Sequence, residues 1–253
     1  MNLEEIAKEA GRLLLNFKGK LKKVEEKSSP SDLVSEADYE SQKLIEKLLR
    51  ERYPDHEVIG EENYSERNLK KGKIFLVDPL DGSLNYVSGF PFYSISIAKI
   101  ENGEIVEGVV YLPEMNEMFH AVKGEGSYLN GERIESGDNE LEKSLVVTGW
   151  PYDHEGTLWT YRAIREVNER VREIRILGSC AAELSYLAAG RIDGYFEIGL
   201  GPWDLAAGYL IATEAGAMVS SISKDGFNLE LGEVLAGKPS LFEDLLSVVR
   251  SVK

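Results

Sequence analysis

One cysteine, one glutamine and three histidines are all that 253 residues contain of those types. With Cys180 alone, no internal disulfide can form, and a reducing cytoplasm is the expected compartment. His56, His120 and His154 lie away from the acidic motifs described below. No Ser/His/Asp triad is evident, and surface or packing roles are expected for all three. Positive charge is also short: 29 Lys+Arg stand against 44 Asp+Glu, a formal net charge of −15. A surface that negative repels nucleic acid and anionic lipid, so neither is an expected partner. It does not exclude an anionic small substrate, because a bound divalent cation inverts the local field. No stretch approaches roughly 18 uninterrupted apolar residues, so no membrane span is expected. The start, Met1-Asn2-Leu3-Glu4-Glu5, has neither a basic nor an apolar leader region, so no signal peptide is expected. A single glutamine beside 29% charged residues leans towards a thermophilic source.

What is present is a hydrophobic content of 43%, enough for one large domain or two intimately packed halves. Leu3, Ile6, Ala7, Ala10, Leu13, Leu14 and Phe17 recur at helical spacing and predict a first amphipathic helix. Gly19 and a lysine-rich stretch to Lys27, read as a solvated face, end it. Ser35 is a good N-cap for a second helix that Pro54 stops, and Asp38 sits three residues on, where an acid complements the helix start. Residues 56–62 read as a strand ending in two acids, and 63–73 as a loop. From Phe92 the pattern is mostly β. Asn102-Gly103 and Asn130-Gly131 are two-residue turn signals, so an antiparallel sheet backed by the first two helices is expected. Strands are expected at 145–148, 173–177 and 192–198, and helices at 156–172, from Gly178 to Ala189 and from Pro202 to about Ala215. A strand near Val234 and a last helix from Pro239 complete the chain. The boundary near 138–144 divides an N-terminal α+β half, 1–140, from a C-terminal α/β half, 141–253.

The chemistry concentrates at Asp78-Pro79-Leu80-Asp81-Gly82-Ser83. Ile74-Phe75-Leu76-Val77 before it reads as a buried strand. Strand, turn and helix then put two carboxylates, a hydroxyl and backbone N–H groups in one place, which suits a hard cation and a phosphate. Glu61 and Asp204 also fall at element ends. Any one of these acids, alone, reads as a cap or a solvated residue. Their joint pattern is hard to explain as independent caps. Cys180 reads as a small packed residue, since no pairing histidine is indicated. An aspartyl nucleophile of the haloacid-dehalogenase kind would need Asp-x-Asp, whereas the spacing here is Asp-x-x-Asp.

The sequence resembles the inositol monophosphatase family of Mg²⁺-dependent, often Li⁺-sensitive phosphatases. The motifs are Asp32-Leu33-Val34-Ser35-Glu36-Ala37-Asp38, Gly60-Glu61-Glu62, Asp78 to Asn85 and Trp203-Asp204-Leu205-Ala206-Ala207-Gly208, and the match covers essentially the whole chain. The resemblance implies a layered αβαβα sandwich of the sugar-phosphatase type, α+β to α/β in class. Its N-terminal sheet would be antiparallel with two helices, and its smaller C-terminal sheet mixed. It further implies two to three Mg²⁺ ions, with Mn²⁺ as a substitute. Glu61, Asp78 and the carbonyl of Leu80 would hold one ion, and Asp78, Asp81 and Asp204 a second, with Asp78 bridging. Ser83 and Asp38 would orient or deprotonate the attacking water. Gly82 and Ser83 would hold phosphate oxygens through backbone N–H groups. Glu197 would bind substrate hydroxyls, and Gly178, Ser179 and Ala181 would shape the same pocket. Ser83 and Ser35 stand where threonine is commoner in the family.

By resemblance the substrate is a small phosphorylated polyol or sugar, and the assembly a homodimer. Inositol monophosphate comes first and fructose 1,6-bisphosphate second, alone or as a dual activity. Arg165, Arg170, Arg172, Arg175 and Arg191 are candidates for a second phosphate. 3′-Phosphoadenosine 5′-phosphate ranks lower, because no aromatic base-stacking cluster is readable. A non-catalytic metal-binding regulatory protein is the reading from another class. A missing ligand would support it, and none is missing.

Overall fold

The structure, a computed structural model, describes residues 1–64 and 69–252. The chain opens with α1 (Leu3–Phe17), β1 (Val24–Glu26), β2 (Leu33–Ser35), α2 (Glu36–Arg52), β3 (Glu57–Gly60) and β4 (Lys73–Asp81). Next come α3 (Ser83–Ser88), β5 (Ser94–Glu101), β6 (Glu104–Leu112), β7 (Glu117–Val122), β8 (Gly126–Leu129) and β9 (Glu132–Ile134). The second half holds β10 (Leu145–Thr148), α4 (His154–Asn168), β11 (Glu173–Ile176), α5 (Cys180–Ala188) and β12 (Gly194–Ile198). It closes with α6 (Pro202–Glu214), β13 (Met218–Ser220), β14 (Glu233–Gly237) and α7 (Pro239–Arg250).

A seven-stranded sheet runs in the order β3-β4-β5-β6-β7-β8-β9, and a five-stranded sheet in the order β11-β10-β12-β14-β13. The two Asn-Gly pairs turn the hairpins as expected. Asn102 and Gly103 have φ of 52° and 86°, and Asn130 and Gly131 52° and 84°. Two successive left-handed residues match the twist of the flanking strands. The large sheet departs from the expectation at one edge, where β3 pairs parallel with β4. A two-residue turn forces reversal, whereas the connection 61–72 is long enough for a crossover. The small sheet is mixed: β10 pairs parallel with β11 and β12, and β14 antiparallel with β12 and β13.

Alternate faces of the strands feed alternate layers. On one face of the large sheet, Val77, Ile95, Ile97 and Val109 meet Ile6, Ala10 and Leu14 of α1 and Ile45 and Leu49 of α2. On the other, Leu76, Ala98 and Val110 meet Ala181 and Ala182 of α5 and Ala206, Ala207 and Leu210 of α6. The far sides of α5 and α6 pack Leu184, Leu187, Leu205 and Ala212 on Val147, Tyr195 and Val234 of the small sheet. Beyond it, α4 and α7 cover Val146, Phe196 and Leu235 with Ala163, Val167, Leu241 and Leu245. The result is an αβαβα sandwich. Its middle helices are apolar all round because both faces are buried.

Three local expectations shift. α4 starts at His154 rather than 156, because Asp153 caps it by accepting the Gly156 N–H at 2.8 Å, and it ends at Asn168 rather than 172. The lysine-rich stretch contains β1, which pairs antiparallel with β2 across the Ser28–Ser31 loop. The two acids after β3 lie on a 3₁₀ turn, Glu61–Asn63, not on the strand itself. Within the loop expected at 63–73, residues 65–68 lie outside the described residues. Among the described residues no helix is long and apolar enough to cross a membrane.

Candidate active site

A cleft of about 700 Å³ lies where the end of β4 meets the starts of α3, α5 and α6. Asp78 and Asp81 come from β4, whose register with β5 breaks between them. The bulge re-aims the strand end. Asp204 arrives from the third residue of α6, where its Oδ2 accepts the Gly201 N–H at 2.7 Å. One oxygen from each of Asp78, Asp81 and Asp204 lies within 4.8 Å of the others. Asp78 is buried, and its carboxyl is held well above the ordinary range, first by burial and then by Glu61, Asp81 and Asp204. Asp204 is raised by burial and then by Asp81 and Glu61, so the crowded acids oppose one another's ionisation. Burial pushes Asp81 up to about 6 against the opposing bonds of Ser179, Ala181 and Ser94. Three crowded carboxyls that resist ionisation, all hard oxygen donors, fit a divalent cation such as Mg²⁺.

Asp38, the third residue of α2, is buried beside Ser83, which lines the cleft, and serves two ends at once. Its Oδ2 accepts the Ser35 N–H at 2.8 Å and the Ser35 hydroxyl at 2.6 Å, which caps the helix. Its Oδ1 accepts the Ser83 hydroxyl at 2.6 Å. Burial raises the Asp38 carboxyl, and the bonds from Ser35 and Ser83 oppose that rise. Leu80 lies between the acids of β4, with its N–H donating to Asp78 Oδ1 at 2.9 Å and its carbonyl 2.9 Å from Ser83 Oγ. Gly82 takes a left-handed φ of 92° and starts α3. A Cβ there would stand 2.9 Å from the Gly178 carbonyl, so only glycine lets the two loops touch.

Glu197 lines the same cleft and accepts the Tyr195 hydroxyl at 2.5 Å. Burial lifts its carboxyl to about 7. Gly178 and Ser179 line the cleft, whereas Ala181 stands behind them and is not part of its wall. The Ser179 hydroxyl donates to Asp81 Oδ2 at 2.6 Å and the Ala181 N–H at 2.8 Å, so their polar groups are engaged by Asp81. Glu61 lines the cleft but lies outside the trio of aspartates. Its carboxylate accepts Lys27 Nζ at 2.8 Å, and Glu62 accepts the same ammonium at 2.7 Å. Burial alone would lower Lys27, but the charges and hydrogen bonds of Glu61 and Glu62 outweigh it and raise it. Glu62 is pushed up to about 7 by burial and then by Glu61.

Lys27 is thus an exposed but paired member of the lysine run rather than a free one. Its partners lie 34 and 35 residues downstream, beyond any local signal. Of Arg165, Arg170, Arg172, Arg175 and Arg191, none lines the cleft, and among the described residues Lys27 is the one lysine or arginine that does. Arg191 holds Glu117 through two bonds of 2.6 Å, and Arg170 and Arg175 pair with Glu166 and Glu173. Aromatics that the sequence does not bring together line the cleft, Phe90, Trp150, Tyr152 and Trp203, and Trp150 packs on Tyr161 with ring centroids 4.8 Å apart. Cys180 is buried in the wall of the cleft, with its thiol raised by burial. His56 packs between Tyr53 and Phe75, and His120 faces Glu107 at 3.3 Å.

A model of the inositol monophosphatase family matches residues 2–253. A fructose-1,6-bisphosphatase/inositol-1-monophosphatase of Thermotoga maritima is 36% identical over 249 residues, 98% of this chain and 94% of its own. The Nus factor SuhB of Escherichia coli is 35% identical over 222 residues, 87% of this chain and 83% of its own. The solved structure of the extragenic suppressor protein suhB from Bartonella henselae matches with a TM-score of 0.90 at 35% identity, covering 97% of this chain and 96% of that one.

Proposed function

We propose that this chain, which belongs to the inositol monophosphatase family of phosphatases, is a Mg²⁺-dependent phosphomonoesterase that hydrolyses inositol monophosphate to inositol and phosphate. The observation that carries the reading is the Ser83–Asp38 hydrogen bond of 2.6 Å beside three clustered aspartates. The reading includes a cytoplasmic homodimer. It assigns most ligands to the half at 1–140, and Asp204 and substrate contacts to the half at 141–253. Asp78, Asp81 and Asp204, with Glu61 and the Leu80 carbonyl, would hold two to three Mg²⁺, Mn²⁺ being an alternative. When bound, such ions neutralise the phosphate and make water nucleophilic at neutral pH.

The chain's own groups do the rest. A serine hydroxyl has one proton to give and lone pairs to accept another. Asp38 Oδ1, the nearer of two acceptors, takes the Ser83 proton, so Ser83 Oγ turns a lone pair to the attacking water. Water attacks phosphorus as the bond to the inositol oxygen breaks; the water gives up a proton towards Ser83 and Asp38, and the departing oxygen takes one up from solvent water. Backbone N–H groups of Gly82 and Ser83 steady the phosphate oxygens. Glu197 accepts from substrate hydroxyls, and Gly178 forms the adjoining wall.

A second reading, fructose 1,6-bisphosphate, is supported by the name of the Thermotoga maritima relative. The aromatic rim of Phe90, Trp150 and Tyr152 also restores 3′-phosphoadenosine 5′-phosphate as a substrate to be tried. The test is phosphate release with Mg²⁺ from all three compounds, with and without Li⁺ and with a chelator. Inositol 1-phosphate is expected to turn over best, with loss on chelation and inhibition by Li⁺. Asp204→Asn is expected to lower the rate by at least about a hundredfold, since a cation supplies several kcal/mol of charge stabilisation. Phosphate release from none of them overturns the reading.

A further inference from the structure

The Leu177–Ser179 turn, which carries one of the groups gripping Asp81, is itself gripped from both sides. We propose that Glu183 and Asn85 are positioning residues: they clamp this turn between the two halves of the chain and so aim Asp81 at its cation. The inference rests on Asp81 being a cation ligand, as proposed above.

Asp81 is not a free carboxylate. Three donors converge on its Oδ2: the Ser179 hydroxyl at 2.6 Å, the Ala181 N–H at 2.8 Å and the Ser94 hydroxyl at 3.2 Å. With Oδ2 so engaged, the carboxyl plane is set and Oδ1 is the oxygen to offer. Ser179 and Ala181 can set it only if the turn before α5 is rigid. That turn passes through a left-handed glycine, Gly178, with φ of 83°, a conformation that an unsupported loop leaves readily.

The support is built from two side chains. Glu183, in the first turn of α5, folds back so that Oε1 accepts the Leu177 N–H at 3.0 Å and the Gly178 N–H at 3.2 Å. Asn85, on α3, donates through Nδ2 to the Leu177 carbonyl at 2.7 Å and the Phe92 carbonyl at 2.7 Å, with the Gly178 carbonyl at 3.4 Å. The N–H side of the turn is therefore held by the C-terminal half, and the C=O side by the N-terminal half. Asn85 also ties the turn to Phe92, two residues before the Ser94 that touches Asp81.

The choice of an acid at 183 has a cost. Glu183 is fully buried, and Oε2 is without a partner among the described residues. Burial, then the charge of Glu197, raises the carboxyl well above its ordinary range. A leucine would fill this place between Leu184 and Ala182 without that desolvation. What the carboxyl supplies is Oε1, an acceptor for two otherwise orphaned N–H groups. Neutral glutamine has the same acceptor in the same place.

The metal-free protein is titrated with Mn²⁺, reading free Mn²⁺ by electron paramagnetic resonance, alongside thermal unfolding and Mg²⁺-dependent turnover. Glu183→Gln is expected to bind Mn²⁺ within about twofold of the wild type. Glu183→Leu and Asn85→Ala are each expected to weaken binding by about 10–100-fold, the usual loss when a group orienting a ligand is removed. Turnover in these two should recover to within a few-fold at saturating metal. Asn85→Ala carries the test should Glu183→Leu not fold. Wild-type Mn²⁺ affinity in both variants, with only the Tm lowered, overturns the proposal. A loss in Glu183→Gln equal to that in Glu183→Leu also overturns it. No Mn²⁺ binding by the wild type would instead overturn the metal reading of the site, and this inference with it.

Discussion

Asp38 and Asp204 each close a helix end and also serve the cleft: Asp204 lines it, and Asp38 holds the hydroxyl of Ser83, which does. Capping and chemistry are therefore not rival readings of these residues. The cap fixes the side chain, and a fixed side chain is what a site requires. Ser83 follows the same logic, since its hydroxyl is held by Asp38 rather than left to rotate. Ser83→Ala is expected to lower kcat by about a hundredfold or more, the scale of lost proton-transfer assistance, with little change in Tm. Ser83→Thr keeps the hydroxyl and stiffens χ1, so near-full activity is expected. Steady-state kinetics on both variants check this, and equal losses in the two would show that the hydroxyl is not the operative group. At this scale the aspartates were legible, because each sits in a short motif. Lys27 was not, because one lysine among several has no local mark and its partners lie across the fold.

At the scale of elements, the layer of α5 and α6 between the two sheets decides the site. Both helices start beside the end of β4, and both are built of small residues that allow close approach. Gly108 of β6 lies under α6, where a Cβ would stand 3.0 Å from the Ala207 carbonyl oxygen and 3.1 Å from its Cα. These are backbone atoms, so the helix must move as a body. Gly108→Ala is expected to cost about 1–3 kcal/mol, a Tm lower by roughly 2–10 °C. Because α6 carries Asp204, the Mg²⁺ concentration for half-maximal activity should rise as well. Calorimetry and a Mg²⁺ titration test this together, and an unchanged Mg²⁺ requirement would show that α6 does not transmit the strain. Element existence was readable from periodicity, Asn-Gly turns and caps. The parallel pairing of β3 with β4 was not, because it depends on a crossover rather than on a turn.

For the molecule as a whole, the main electrostatic fact is that acids are gathered where the net charge of −15 already opposes them. Burial lifts Asp81 to about 6 and Glu197 to about 7, and burial with Glu61 lifts Glu62 to about 7. Each ionises near pH 4 in the unfolded chain. Between about pH 4 and pH 7 the folded metal-free protein thus binds more protons than the unfolded one. The stability these groups contribute is complete below that window and is lost as pH rises through it. A divalent cation reverses the balance, because it binds the deprotonated acids. The gain in Tm on adding saturating Mg²⁺ is therefore expected to be larger at about pH 8 than at about pH 5.5. Scanning calorimetry with and without Mg²⁺ measures it, and a gain independent of pH would sink this account. The sequence by itself determined the catalogue of elements, the motif acids and their family, because caps, turns and alternation are local physics. Only the tertiary structure decided which side chains meet, Lys27 with Glu61 and Glu62, Ser179 and Ala181 with Asp81, and which line one cleft, Phe90 with Trp150, Tyr152 and Trp203 but none of five arginines. Those pairings join residues tens of positions apart. They follow from how five layers stack, which no local pattern encodes.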